Sequence, residues 1–264
     1  MIARRLTAAL AATVLLTAAA PVALLPHVAQ YEITLARGNP AGGIADMNGR
    51  MVTEIADACG GYTTTQRLMA DIADPEGNST RTDFVFTGWE STEGREFRFD
   101  TTNSVNGEAV DHYRGRASTP SSSAGGRAVF DDPADTATDL PAGTLFPNAH
   151  MEALIVAARA GKTSFSRIVF QGSSTDDVME AAAFIGKEKP PGPGGFAGAV
   201  AVAGLKSWPI VLSFYKVGSP DATPEYEIGM RLYENGVAAD LRMSYPEFAL
   251  KGKLVRVAML PSKC

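Results

Sequence analysis

The sequence predicts a mainly β protein: a single large antiparallel sheet, strongly curved into an open barrel, with one amphipathic helix near residues 148–160. Roughly a dozen segments combine strand-like composition with turn signals at short, regular spacing. Only one segment has the apolar spacing of a helix face. No stretch is long enough to serve as a linker between domains. Residues 24–264 are therefore expected to form one domain.

The clearest strand signals form a hairpin in the first half of the chain. Residues 82–90 are rich in aromatic and β-branched side chains, and residues 95–100 alternate strictly between polar and apolar. A second hairpin is predicted to turn at Asn235 and Gly236, a preferred two-residue turn. The remaining predicted strands cover residues 27–35, 44–55, 60–69, 110–117, 126–130, 163–170, 207–215, 225–233, 237–245 and 248–260.

Four regions depart from this pattern. Residues 140–147 contain two prolines and a glycine, so no regular element is expected there. Residues 178–185 are ambiguous, and Gly252 marks a possible turn in the last segment. Residues 187–195 are rich in proline and glycine and are predicted to form a mobile loop.

The single helix is predicted from apolar residues that recur at helical spacing. They are Met151, Leu154, Ile155 and Ala158. Asn148 is expected to cap the first turn, and Gly161 suits the end of the helix. The helix is expected to cover an open face of the sheet or to fill its concavity.

Residues 1–23 have the form of a secretory signal peptide. Arg4 and Arg5 precede about fifteen apolar or small residues, a run shorter than the roughly 20 apolar residues of a transmembrane helix. An uncleaved membrane anchor is the alternative. The prediction is export to the periplasm, with no membrane-spanning segment after cleavage.

The chain contains two cysteines, Cys59 and Cys264, and Cys264 is the last residue. In an exported protein, two cysteines with none left over favour one disulfide. A bridge closing so long a loop would stabilise the fold by roughly 5 kcal/mol in the chain-entropy model. Two unpaired thiols, or an intermolecular link through Cys264, are the alternatives.

Composition and motifs exclude several classes of function. The formal net charge of −5 argues against a nucleic-acid partner, which normally needs a basic face. The chain has no nucleophile elbow and no glycine-rich loop of the kind that binds nucleotides. The sequence therefore predicts no nucleotide cofactor.

Side chains with catalytic or metal-binding chemistry are scattered through the chain. The histidines His27, His112 and His150 show no metal-ligand spacing, and a structural role is expected for them. Acidic pairs at residues 131–132 and 176–177 are expected to lie on solvated turns. Glu90, Glu93 and Glu96 surround one hairpin without a recognisable pattern. No catalytic residue and no metal site is predicted.

Several short motifs, taken together, resemble the EipB family of periplasmic cell-envelope integrity proteins. The similarity covers nearly the whole chain after the signal peptide, and its specificity comes from the order and number of the matches. The matching stretches are residues 25–35, 59–62, 66–67, 89–91, Gly94, 97–99, 140–147, His150, 170–173, 208–209, 224–227, 234–236 and Cys264.

This resemblance implies a β-spiral, a long antiparallel sheet coiled around a helix, and a disulfide between Cys59 and Cys264. It implies a role in maintaining the envelope and no known reaction. The fold is also similar to periplasmic lipoprotein carriers, which hold acyl chains in a concavity. Candidates for a functional surface are four residues within or close to the matching stretches: Trp89, His150, Trp208 and Tyr226.

Three functions remain open at this point. The leading one is a non-enzymatic protein that binds a lipid, a lipoprotein or an envelope protein in or on the curved sheet. The second is a hydrolase acting on peptidoglycan or lipid, with His112 or His150 beside a carboxylate. The third is a scaffold for other periplasmic proteins, which predicts a large exposed apolar patch without a pocket.

Overall fold

The computed structural model describes residues 22–38, 43–121, 124–192, 195–219 and 223–262. Within them, the chain forms fourteen strands and one α-helix, α1 (Pro147–Arg159). The strands are β1 (His27–Arg37), β2 (Asp46–Asp57), β3 (Gly61–Ala73), β4 (Ser79–Ser91), β5 (Glu96–Val105), β6 (Glu108–Ser118), β7 (Gly126–Asp132), β8 (Thr136–Leu140), β9 (Ser164–Phe170), β10 (Val178–Ile185), β11 (Ser207–Lys216), β12 (Tyr226–Tyr233), β13 (Ala238–Ser244) and β14 (Ala249–Met259).

All fourteen strands belong to one antiparallel sheet, which confirms the predicted fold class. Each strand pairs with its neighbour in sequence from β1 to β8 and from β9 to β14, and β1 pairs with β14. The two edges of the sheet are therefore β8 and β9, the strands on either side of α1. Leu145, just before the helix, forms a parallel bridge with Val169 of β9 and so occupies part of that edge.

The concave side of the sheet is filled by one large hydrophobic cluster, here called the inner core. Most of its members come from β1, β2, β3, β9 to β14 and α1. Leu154 and Ile155 of the helix are fully buried in it, as is Leu232 of β12. The burial of the strand residues follows from the strand period, because alternate side chains of each strand point to the concave face. The helix thus fills the concavity, which is one of its two predicted positions.

A second, smaller cluster lies where the two ends of the sheet overlap. This phenylalanine cluster consists of Phe86, Phe97, Phe99, Ala117, Ala128, Phe130, Leu140, Phe146 and Phe170. Val169 of β9 and Met179 of β10 point into the inner core, whereas Phe170 and Val178 beside them pack against the phenylalanine cluster. Strands β9 and β10 are therefore covered on both faces at this end, and the sheet coils over itself as a spiral.

Hydrogen bonds fasten the same overlap. The Thr101 hydroxyl of β5 donates to the Gly172 carbonyl at 2.9 Å. The Thr138 hydroxyl of β8 donates to the Thr175 carbonyl at 2.8 Å. The loop between β9 and β10 is thus bound to strands from the opposite end of the sheet.

The helix is anchored through its first turn by a side chain from a distant strand. The buried carboxylate of Glu90 in β4 accepts the backbone N–H groups of Asn148 at 2.7 Å and Ala149 at 2.8 Å. A carboxylate at this position satisfies unpaired N–H groups and interacts favourably with the helix dipole. The prediction that Asn148 caps the helix is therefore wrong: Asn148 lies inside the first turn, where its side chain accepts a hydrogen bond from Thr64.

The structure decides three segments that the sequence left ambiguous, unassigned or marked as a possible turn. Residues 178–185 are a regular strand, β10, and residues 136–140, which were not predicted as a strand, form β8. Gly252 lies inside β14 instead of in a turn. It stands between Leu241 and Ile33, where an added Cβ would lie 3.0 Å from the Leu241 Cβ and 3.1 Å from the Ile33 Cδ1. The glycine avoids crowding inside the sheet.

Three predictions fall partly outside the described residues: the signal peptide, the disulfide and the loop at 187–195. The structure does not describe the first 21 residues, which make up most of the predicted signal peptide, and it does not describe Cys264. In the loop predicted at 187–195, Lys189 forms an antiparallel bridge with Ser207, and a short 3-10 helix follows at Ala199–Val202. In the described part of the chain, no helix is long and apolar enough to cross a membrane.

Candidate functional site

The four predicted surface residues do not form one site. Trp208 is 2% exposed and belongs to the inner core, and His150 is buried on the helix. Tyr226 is partly buried and stacks on Phe214 with ring centroids 4.4 Å apart. Only Trp89 lies on the outer face of the sheet, where it lines a groove of about 540 Å³.

This groove runs across the outer face of β3 to β7, and the strand period explains which side chains line it. Phe97 and Phe99 of β5 point inward. Their neighbours Arg98 and Asp100 therefore point outward, because successive side chains of a strand alternate between its two faces. In β6, the same alternation places Arg114 and Arg116 outside. We call the groove the arginine groove; it is lined by Thr63, Thr87, Gly88, Trp89, Arg98, Phe99, Asp100, Arg114, Gly115, Arg116 and Asp131.

The register of the sheet arranges three of these side chains in one row. Trp89 lies opposite Arg98, and Arg98 lies opposite Arg116. The Arg98 guanidinium carbon is 5.2 Å from the centre of the Trp89 ring, a cation–π contact. Two arginines directly opposite each other repel, which is unfavourable unless an anion lies nearby.

Two arginines elsewhere on the outer face, Arg67 and Arg81, form close bidentate pairs with carboxylates. Arg67 binds Asp83 through two hydrogen bonds of 2.9 and 2.6 Å, and Arg81 binds Asp71 at 2.8 and 3.1 Å. Among the described residues, neither Arg98 nor Arg114 has an ion pair within 4.0 Å. Arg116 has one, at 3.6 Å from Asp131. The guanidinium groups of the groove therefore retain most of their donors.

His112 lies beside the groove, between two carboxylates. Its Nδ1 is 2.7 Å from Asp132 and its Nε2 is 3.1 Å from Asp100. The hydrogen bond to Asp132, followed by that to Asp100, raises the pKa of His112 above its usual value. Both ring nitrogens donate when the ring is protonated, so this arrangement favours the imidazolium and leaves no lone pair for a general base.

His150 is in the opposite situation. Its Nε2 is buried without a hydrogen-bond partner, and its ring stacks on Phe165 with centroids 6.1 Å apart. Burial lowers the pKa of His150 to about 4, and the charge of Arg167 adds to this effect. The histidine is therefore neutral and packed, which agrees with the structural role predicted for it.

Both acidic pairs depart from the prediction of solvated turns. Residues 131–132 are the last two residues of strand β7, and one residue of the other pair is buried. Asp177 is 6% exposed, and its carboxylate accepts hydrogen bonds from the backbone N–H and the hydroxyl of Ser173, each at 2.9 Å. Burial raises the pKa of Asp177 to about 6, although these hydrogen bonds oppose the shift. Gln171 in the same loop donates to the Tyr226 hydroxyl at 2.7 Å. These contacts organise the loop at the overlap.

The predicted disulfide remains a prediction, because Cys264 lies outside the described residues. One contact near it bears on the geometry. The Ser262 hydroxyl donates to the Asp57 carboxylate at 2.6 Å, and Asp57 is two residues before Cys59. Ser262, the last described residue, therefore lies close to the turn that carries Cys59.

The arginine groove was not predicted as a site, apart from Trp89. The strict alternation of residues 95–100 already placed Arg98 on the polar face of a strand. The missing information was the register of β5 against β6, which brings Arg98 opposite Arg116. In the described ranges, no group of three or more histidine, cysteine, aspartate or glutamate residues could hold a metal ion.

Comparisons with known proteins agree on one family. The model of the EipB-like family matches residues 18–261. The chain is 33% identical over 246 residues to the cell envelope integrity protein EipB of Brucella abortus (strain 2308), covering 91% of this chain and 86% of that protein. A crystal structure of a β-barrel-like protein of a domain of unknown function from Brucella abortus superposes with a TM-score of 0.83 at 32% identity, over 91% of this chain and 100% of that one. The chain belongs to the EipB-like family.

Proposed function

We propose that this protein supports the integrity of the cell envelope from the periplasm, as a non-enzymatic protein that binds an envelope partner on the outer face of its sheet. The role in the envelope is supported by the name of the Brucella relative, a cell envelope integrity protein. The mode of action rests on one observation: the arginine groove is open on the outside and carries Trp89 beside arginines that keep free donors.

The packing of the inner core favours the outer face over the concavity as the binding surface. Leu154, Ile155, Leu232 and Val237 are fully buried where a ligand in the concavity would have to lie. An acyl chain there would have to displace the helix or these side chains. The lipoprotein-carrier analogy therefore supports the fold more than it supports the mode of binding.

A hydrolase is the second candidate, and His112 beside Asp100 and Asp132 is the observation in its favour. The two hydrogen bonds that occupy the imidazole argue for a structural clamp. Incubation with peptidoglycan or phospholipid, followed by mass spectrometry of the products, distinguishes the two functions. Turnover that disappears in a His112→Asn variant would favour the hydrolase.

The scaffold alternative is supported by a small apolar patch on another part of the outer face. Phe184 and Val211 are paired across β10 and β11 and are 65% and 41% exposed. Pro209 lies nearby in the same groove of about 410 Å³. This observation rests on two exposed side chains, whereas the alternative predicts an extended apolar surface.

The proposed function is tested in cells that lack the gene. They are complemented with the wild-type protein, with the double variant Arg98→Ala/Arg116→Ala, or with the control Lys251→Ala/Lys253→Ala. The control removes two exposed cations from the outer face of β14, away from the groove. We expect detergent sensitivity to be restored to normal by the wild type and the control but not by the groove variant. Full rescue by all three would exclude the groove from the function.

A further inference from the structure

The arginine groove has the features of an anion-binding site. Arg98 and Arg116 lie directly opposite each other on adjacent strands, where their Cα atoms are about 5 Å apart. Like charges placed opposite each other are unfavourable, and the Asp131 carboxylate, 3.6 Å from Arg116, offsets this on one side only, because Arg98 has no ion pair among the described residues. The fold tolerates the repulsion here, whereas it pairs Arg67 and Arg81 with carboxylates on the same face.

The geometry of the pair favours phosphate over carboxylate. Each guanidinium presents a planar fork of donors that binds two oxygens of one anion. A carboxylate has two oxygens and can satisfy one fork completely. A monoester phosphate has three terminal oxygens, so it can satisfy one fork and still receive a hydrogen bond from the other arginine. Arg114 of the same strand lies in the groove as a third donor.

The remaining charges of the groove favour directed recognition over bulk attraction. Asp100 and Asp131 also line it, so three arginines are offset by two carboxylates. Asp131 lies 3.6 Å from Arg116, and Asp100 lies 3.1 Å from His112. Because the net charge is small, affinity for an anion must come mainly from hydrogen bonds to the guanidinium forks.

Trp89 adds the feature that favours a lipid as the source of the phosphate. Its ring lies at the end of the arginine row, on the outer face and partly exposed. Tryptophan is enriched at membrane interfaces because one end of its ring system is apolar and the other carries an N–H donor. A phosphate in the row thus places the rest of a headgroup next to Trp89.

We propose that the arginine groove binds the phosphate of an anionic lipid headgroup at a membrane surface, through Arg98 and Arg116, with Trp89 against the interface. This inference rests on the proposed function, because it names the chemistry of the partner held in the groove. An acidic segment of a protein is the competing occupant, and it becomes an outcome of the test.

The test is co-sedimentation of the purified protein with vesicles of phosphatidylcholine that contain phosphatidic acid, phosphatidylglycerol or oleate at matched surface charge. Oleate supplies a carboxylate in place of an additional phosphate. We expect binding to phosphatidic acid vesicles, and weaker binding to oleate vesicles. Removing two arginines near a membrane surface should weaken binding roughly thirtyfold in Arg98→Ala/Arg116→Ala. Lys251→Ala/Lys253→Ala should bind like the wild type.

Several outcomes would overturn the inference. Equal binding by the groove variant and the wild type would exclude the groove, and an equal loss in the lysine control would indicate bulk attraction. Binding to oleate vesicles as tight as to phosphatidic acid vesicles would contradict phosphate recognition. Loss of vesicle binding when inorganic phosphate is added at low concentration would identify free phosphate as the ligand.

Failure of this inference is separable from failure of the proposed function. If the groove variant cannot restore envelope integrity in cells but no vesicle is bound, the groove holds a partner other than a lipid. A synthetic acidic peptide that binds the wild type and not the groove variant would then identify that partner as a protein segment. If the groove variant restores envelope integrity, the groove is excluded from the proposed function, whatever the vesicles show.

Discussion

The two hydrophobic clusters of this protein have different roles in the fold. The inner core is large, mostly aliphatic, and built around the helix. The phenylalanine cluster is small, and its rings meet in several orientations, with Phe97 at 5.2 Å from Phe146 and 5.6 Å from Phe99 between centroids. The first cluster fills the coil, whereas the second joins the two ends of the sheet. One set of residues thus fills the interior of the coiled sheet, and a separate set holds its two ends together.

This division suggests why aromatic residues are concentrated at the overlap. The contact between the two layers of the coil is short, so few side chains must supply the whole attraction. Aromatic rings bury the largest areas per residue and gain further from edge-to-face contacts. Phe170 makes edge contacts with Phe97, Phe99 and Phe130. One side chain therefore connects the inner end of the spiral to three outer positions.

The largest expected effect comes from removing the centre of the phenylalanine cluster. Phe97→Ala should lower the free energy of unfolding by about 3–5 kcal/mol, comparable with the roughly 2–5 kcal/mol expected for Leu154→Ala in the inner core. Denaturant unfolding measures both. Hydrogen exchange distinguishes the two variants. In Phe97→Ala, backbone amides of β8 and residues 141–146 should lose protection selectively, whereas in Leu154→Ala the loss should centre on the helix. The same exchange pattern in both variants would contradict two separate roles.

The predicted disulfide would be a third connection between distant parts of the fold, outside both clusters. Cys59 lies at the turn between β2 and β3, and the described residues 260–262 follow β14, which pairs with β1 on the side opposite β2. We expect Cys59→Ser to lower stability by about 2–4 kcal/mol and to make the C-terminus sensitive to proteases. The overlap should keep its hydrogen-exchange protection. Equal melting temperatures for oxidised and reduced wild-type protein would argue against a stabilising bridge.

The smallest expected effect concerns pH, through two buried groups at the first turn of the helix. Burial raises the pKa of Glu90 from 4.5 to about 7, so its ionisation costs stability as the pH rises through that range. Burial lowers the pKa of His150 from 6.5 to about 4, so its protonation costs stability as the pH falls through that range. In the window from roughly pH 4.5 to 6.5, the two effects oppose each other.

Single substitutions should separate these opposing slopes. In His150→Gln, stability should decrease more steeply with rising pH than in the wild type, because the Glu90 contribution is no longer offset. In Glu90→Gln, stability should increase more steeply with rising pH. Each change is expected to be on the order of 2 kcal/mol across the window. Denaturant unfolding at several pH values measures the slopes, and parallel curves for all three proteins would show that neither group titrates as described.

The sequence was sufficient to predict the class of fold, because long antiparallel strands carry their own period. Residues 95–100 show it in full, and the Asn235–Gly236 turn follows local rules. The helix also follows from local spacing. β8 was missed because five residues with little alternation become a strand only by pairing with β7. Local patterns therefore predict elements that would be amphipathic on their own.

Features created by contact between distant residues could not be predicted. Glu90 replaces a local helix cap from 58 residues away, and Asp177 is buried only because the overlap covers its loop. The arginine row depends on the register of three strands. Residues such as Trp208 belonged to recognisable motifs, but motif membership does not distinguish a buried tryptophan from an exposed one. Trp89 and Trp208 have opposite environments in this fold.

The bridge between Leu145 and Val169 has a consequence for the behaviour of the protein in concentrated solution. Unpaired sheet edges invite other molecules to add strands, which leads to aggregation. This open sheet has two edge strands. One of them, β9, is partly paired by Leu145 and lies under the overlap. The other, β8, is only five residues long. Coiling thus hides the sites where self-association would begin, and variants that uncoil the ends should precipitate before they lose their secondary structure.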